Sequence, residues 1–166
     1  MQPYPSAPPP EPYQPGPGQP QPRSVQTAVR LMYAGATLNA IGVILGLVTV
    51  GSLKADIIKR SPNLTPTQVH GVEVFGIVGT VLIGLIAIGL WIWMAWANGK
   101  GKSWARIVSA VLFGIDTLNL LLSFARANVA AALILGFLVW LAGLGAIIMI
   151  FNKESAPFYR RPSGQY

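Results

Sequence analysis

The sequence predicts an all-α integral membrane protein: an antiparallel four-helix bundle across a bilayer, preceded by a disordered proline-rich tail. Three observations predict this class. The 166 residues are 52% hydrophobic and 10% charged, whereas a soluble domain carries about 25% charged residues. The apolar residues gather in four blocks, at about 29–50, 72–97, 104–122 and 129–151, and a helix needs roughly 20 such residues to cross a bilayer. Residues 1–22 hold 10 of the 14 prolines and one charge, Glu11. The length is that of one domain. It divides into a tail (1–23), a four-helix transmembrane domain (24–152) and a short basic C-terminal tail (153–166).

The proline-rich tail has little apolar surface to bury, and proline breaks helix and sheet. It is therefore expected as solvated polyproline II-biased chain. Its PxxP spacings (Pro5/Pro8, Pro12/Pro15, Pro17/Pro20) suit an aromatic groove on a partner, although a plain tether is the preferred reading. The first apolar block is expected as a retained anchor. It exceeds the hydrophobic length of a signal peptide, and no small-x-small cleavage site follows it.

Helix one should begin near Ser24. Gly35, Asn39, Gly42 and Gly46 fall on one helical face, and small residues let a neighbouring backbone approach closely. The helical pattern runs past Val50 through "SLKADIIKR", with Leu53 and Ile57 on one side and Asp56 able to pair with Arg60 at i+4. Ser61-Pro62-Asn63 breaks it. Thr65, Pro66 and Gln68 then form a helix start with a capping box. A helix from Pro66 to Asn98 would be roughly 50 Å long against a hydrocarbon core of about 30 Å. Helices one and two should thus project as a short hairpin, either a partner site or a simple connection.

Helix two ends in Trp91, Trp93 and Trp96, residues suited to an interfacial aromatic belt. "GKS" at 101–103 is no phosphate-binding loop, because Trp96 stands where the motif needs glycine and no strand precedes it. Lys100, Lys102 and Arg106 are assigned to lipid headgroups. The net charge of +7 suits anionic lipid and topology better than nucleic acid. With four spans, the two tails and the 98–103 loop share one side. That side holds eight Lys and Arg against four on the other, which places both termini in the cytoplasm of a multi-pass cell-membrane protein.

The stretches "SVQTAVRLMYAGA", "LTPTQVH", "GLWIWMAWANGKGKSWARIVSAVLFGIDTLNLL" and "NKESAPFYR" resemble small four-span membrane proteins of actinobacteria with a proline-rich cytoplasmic N-terminus. The likeness covers about residues 24–160 and is most specific from Trp91 to Asp116. It implies a fold and a cell-envelope setting but no chemistry.

Helix three carries a carboxylate, Asp116, roughly 18 Å along from Trp104 and just past mid-bilayer. Ala105, Ser109, Asn119 and Ser123 lie within about 80° of the same face. Such a polar stripe faces helices or a wet cavity rather than lipid. The apolar side chains of the span contribute about −3 to −6 kcal/mol, enough to insert it despite about 2.5–3.5 for the acid. A neutral Asp116 bonded to Asn39, at similar depth on helix one, is the expected contact.

Two functions would use this arrangement. The preferred one is a non-enzymatic interaction or assembly component of the envelope, with Asp116, Asn119, Asn39 and Ser109 as intramembrane polar glue. Gly35, Gly42 and Gly46 would then serve helix packing. The alternative is a small proton-coupled transporter with Asp116 as proton carrier. No enzyme is expected, because no nucleophile has an adjacent base. No metal or other cofactor is expected either, because His70 and Glu73 supply only two ligands where zinc takes three or four. The expected partners are the lipid bilayer, a second copy or another membrane protein, and a ligand of the proline-rich tail; nucleic acid is excluded.

Overall fold

A computed structural model describes residues 21–126 and 130–160. Within them the chain forms α1 (Arg23–Val48), α2 (Val50–Arg60), α3 (Pro66–Gly99), α4 (Ser103–Arg126) and α5 (Ala130–Ile150). A 3₁₀ turn (Lys153–Ser155) and a short helix, α6 (Ala156–Tyr159), follow. No strand occurs among the described residues. The stretches Arg23–Val48, Pro66–Gly99, Ser103–Phe124 and Ala132–Ile150, of 26, 34, 22 and 19 residues, are long and apolar enough to cross a membrane. The proline-rich segment 1–20 and its PxxP spacings lie outside the described residues, as do the Leu53 and Asp56 side chains.

The element boundaries follow from local chemistry. The expected continuation of helix one is interrupted at Thr49. Its hydroxyl donates to the Leu45 and Gly46 carbonyls, both at 3.0 Å, while its N–H keeps the bond to the Leu45 carbonyl at 3.1 Å and its backbone turns out of the helical range at φ −88° and ψ 3°. At the start of α3, Thr65 and Gln68 form the expected capping box: Thr65 N–H donates to Gln68 Oε1 (2.9 Å) and Gln68 N–H to Thr65 Oγ1 (3.4 Å). The segment read as a basic tail does not simply leave the bundle. Asn152 accepts from Glu154 N–H at 3.4 Å and starts the 3₁₀ turn. α6 then lays Phe158 and Tyr159 into the interior.

α1 packs against both α3 and α5, and α4 packs mainly against α5. The glycine face of helix one is therefore divided between two neighbours. A Cβ on Gly35 would stand 2.8 Å from the Trp91 ring of α3, and one on Gly42 would stand 3.1 Å from Leu135 of α5. Gly46 has looser contact, 3.5 Å, with Thr80 of α3. Close approach also runs the other way: Gly84 of α3 receives Val43, and Gly145 of α5 receives Leu31. The buried core (Val25, Ala28, Met32, Met94, Ala95, Ala146, Ile150, Phe158, Tyr159) lies where the chain's two described ends meet the α3–α4 turn. Beyond it the helices expose large apolar side chains, among them Phe75 (82%), Ile83 (69%) and Ile107 (68%). Exposure on this scale fits lipid contact by a multi-pass membrane protein.

Gly35→Ala should lower thermal stability in detergent by about 1–3 kcal/mol, because Trp91 must move. Gly114→Ala, with nothing within 4 Å of its Cβ position, should be neutral or stabilise by up to about 1 kcal/mol. Equal melting curves for the two variants would contradict glycine-dependent packing at Gly35.

Candidate functional site

Polar groups interrupt the apolar helices in two places, and the two differ in how far their hydrogen bonds are made within the protein. The first is at the end of the bundle that holds the core. Asn98, in the last turn of α3, is fully buried. Its amide donates to the Met94 carbonyl and to Ser109 Oγ, each at 2.9 Å. Its side-chain carbonyl accepts from the Tyr159 hydroxyl at 3.1 Å. Ser109 in turn donates to the Met94 sulfur at 3.6 Å. One buried amide thus joins α3, α4 and α6.

The α3–α4 turn makes this geometry. Gly101 adopts φ of 68°, the left-handed conformation that ends many helices. Lys102 N–H reaches back to the Ala97 carbonyl at 3.2 Å, and α4 starts at once, bringing Ser109 opposite Asn98. A Cβ at Gly101 would also stand 2.8 Å from the Phe158 ring. A second tie closes the same end. Ser155 Oγ donates to the Met149 carbonyl (2.7 Å) and accepts from Ser24 Oγ (2.8 Å).

The three cations assigned to headgroups are held by aromatic rings. Lys100 and Lys102 sit over Trp96 at 4.3 and 4.7 Å. The Arg106 guanidinium lies over Phe151 and Tyr159 at 4.7 and 4.9 Å, and its Nε is buried without an acceptor among the described residues. Burial pushes the Tyr159 hydroxyl up to about 12, with the nearby Arg106 charge pulling the other way.

The second polar place is Asp116, and here the bonds are missing. The structure does not bring Asn39 to it: Asn39 donates to the Gly35 carbonyl of its own helix at 3.1 Å. Ser109 is bonded into the Asn98 network and shares only the wall of a cavity with the acid. Asp116 Oδ2 is buried and has no hydrogen-bond partner among the described residues. Asn119, one turn on, is exposed. Both line a cavity of about 450 Å³ whose other walls include Trp91, Met94, Leu112 and Gly143. Its walls come from α3, α4 and α5, together with Met32 of α1. Next to Asp116 in the chain, Thr117 does not line the cavity and accepts from the Trp140 indole at 2.9 Å.

His70 and Glu73 stand apart at the far end of α3, Nδ1 to Oε2 at 3.9 Å. Among the described residues no three His, Cys, Asp or Glu gather as metal ligands. Sequence reasoning missed Asn98 and Tyr159. The signal for Tyr159 was an aromatic pair in a basic tail immediately after a helix break. For Asn98 there was none, since asparagine at a helix end reads as a cap.

No protein family, curated protein or solved structure matches this chain.

Tyr159→Phe should cost about 1–3 kcal/mol, because it leaves the buried Asn98 carbonyl without a donor. The pH dependence has a definite sign. A hydroxyl raised from 10.0 to about 12 on folding holds its proton more tightly in the folded protein, so its contribution is complete below pH 10 and is lost as pH climbs through 12. Thermal melting between pH 8 and 12 should show that loss in the wild type and a reduced loss in Tyr159→Phe. Identical pH profiles would refute the assignment of the titration to this latch.

Proposed function

We propose that the chain is a non-enzymatic membrane component whose working site is the cleft between α3 and α4, where it receives a partner from the plane of the bilayer. The observation that carries this reading is the contrast between the two polar places. At one end of the bundle Asn98, Ser109 and Tyr159 bond to each other and hold the fold, and Arg106, whose Nε lacks an acceptor among the described residues, is instead stacked over Phe151 and Tyr159. In the cleft the Asp116 Oδ2 atom has no hydrogen-bond partner among the described residues, beside a cavity of about 450 Å³. An unsatisfied buried polar group costs about 1–3 kcal/mol, so retaining one without a structural bond favours a role outside the fold. The setting proposed is an antiparallel four-helix bundle in the cell membrane of an actinobacterium-like envelope, with both termini cytoplasmic. The eight-to-four division of Lys and Arg supports that orientation.

The cleft also favours a second reading, proton-coupled transport, because an acid facing a cavity can exchange a proton where an acid tied to Asn39 cannot. Flux in proteoliposomes separates the two. A carrier loses proton-driven flux in Asp116→Asn, since an amide cannot release a proton in this pH range. A binding component shows no such flux in either protein.

The structural part of the reading has its own test. Asp116→Leu should keep or raise the thermal midpoint, because no side-chain hydrogen bond to the described residues is lost. Destabilisation by about 1 kcal/mol or more would return Asp116 to the role of internal glue. A photoreactive residue at Leu118, in the cleft wall, should capture an adduct distinct from that captured at Ile83. The same lipid-only pattern at both positions would overturn the cleft as a binding site. Topology is checked separately: Ser6→Cys should resist a membrane-impermeant thiol reagent in intact cells, and labelling from outside would invert the proposed orientation.

A further inference from the structure

We infer that the occupant of the α3–α4 cleft is a small amphiphile with a protonated amine at one end and an apolar body. This rests on the reading of the cleft as a binding site and names the ligand class.

Size limits the choice first. About 450 Å³ falls within the roughly 300–1,000 Å³ of small-molecule sites. A helix is about 10–12 Å across with side chains, so the space holds little more than a single turn of one. A second transmembrane helix therefore cannot enter it. Lining chemistry limits it next. Leu90, Trp91, Leu112, Phe113, Leu118 and Leu122 are among the walls, and such surface receives an alkyl or aromatic body.

The polar end decides the head group. Asp116 offers a carboxyl oxygen that is buried and, among the described residues, unbonded. The other polar side chains on the wall are Ser109, already bonded to Asn98 and Met94, and Asn119, which carries no charge. The lining contains no Lys, Arg or His. The cations of the α3–α4 turn and the first turn of α4, Lys100, Lys102 and Arg106, are engaged by aromatic rings at the end of the bundle. A bound ammonium would supply the donor and the charge that the protein itself withholds, and a low-dielectric wall strengthens that pairing. An anionic amphiphile would meet a like-charged or proton-competing group. A neutral alcohol could bond to the acid but would bring no charge assistance.

The test uses the full chain in nanodiscs and three photoreactive probes with one alkyl chain: dodecylamine, dodecanol and dodecanoate, each with a diazirine near the chain end. Saturable labelling is read on the tryptic peptide Ile107–Arg126, which carries Asp116. The amine should label this peptide with about tenfold higher affinity than the alcohol, as expected for one hydrogen bond to a charged group; dodecanoate should be weakest. Asp116→Asn should bring the amine down to the alcohol and leave the alcohol unchanged. Equal affinities of amine and alcohol in the wild type overturn the amine assignment while keeping the cleft, and this comparison needs no variant to fold. An amine preference that persists unchanged in a folded Asp116→Asn protein also overturns it, because the charge would then be recognised elsewhere. Absence of saturable labelling by any probe removes the cleft as a binding site and the proposed function with it.

Discussion

The packed end of the molecule depends on satisfying Asn98. A primary amide taken wholly out of water costs several kcal/mol if its bonds are left unmade. Here α3 supplies the amide, α4 the Ser109 hydroxyl and α6 the Tyr159 hydroxyl. No one of these elements can depart alone without leaving a buried group unpaired. The left-handed Gly101 sets the register, since one residue more or less in the turn would rotate Ser109 off the amide. Asn98 thus converts a turn between two helices and a four-residue C-terminal helix into one joint.

The cleft is a geometric consequence of the packing built from that joint. α1 occupies the seam between α3 and α5, using glycines on both sides of its own face. α4 is left to pack against α5, with little contact to α3 beyond their shared turn. Two helices tied at one end and kept apart by the order of packing enclose a space along their length. Asp116 and Asn119 face that space, because the stripe that places Ser109 against Asn98 continues along α4. One helical face therefore carries both the structural bond and the unpaired acid.

Much of this was legible in the sequence, and the losses have physical causes. The four apolar helices follow from block length, and the start of α3 follows from Thr65, Pro66 and Gln68, because both signals are local. The stripe on α4 was legible as a periodicity, but its partner was not. Equal depth in a bilayer suggested Asn39, yet depth does not fix which helices are adjacent, and Asn39 finds its acceptor one turn back in α1. The interruption at Thr49 was hidden because a threonine bond to the preceding turn forms in unbroken helices as well. The docking of α6 was hidden because Arg160 and Arg161 gave its segment the look of a solvated tail. Asn98 was the hardest, since a buried hub and an exposed cap have the same letter and the same place at a helix end.

Trp91 couples the packed face to the open one. Its ring lies on Gly35, where any side chain would displace it, and also stands within contact distance of a Cβ at Gly143. The same residue lines the cavity beside Asp116. The small residues of α1 and α5 therefore do more than let helices approach. They create the recess that seats one large ring, and that ring forms a wall of the cleft. Enlarging Gly35 would push Trp91 toward the cavity, so a change read first as a packing defect would also narrow the space before the carboxyl. Helix packing and the volume of the cavity are in this way set by one side chain, and the glycine face and the Asp116 carboxyl become parts of a single arrangement.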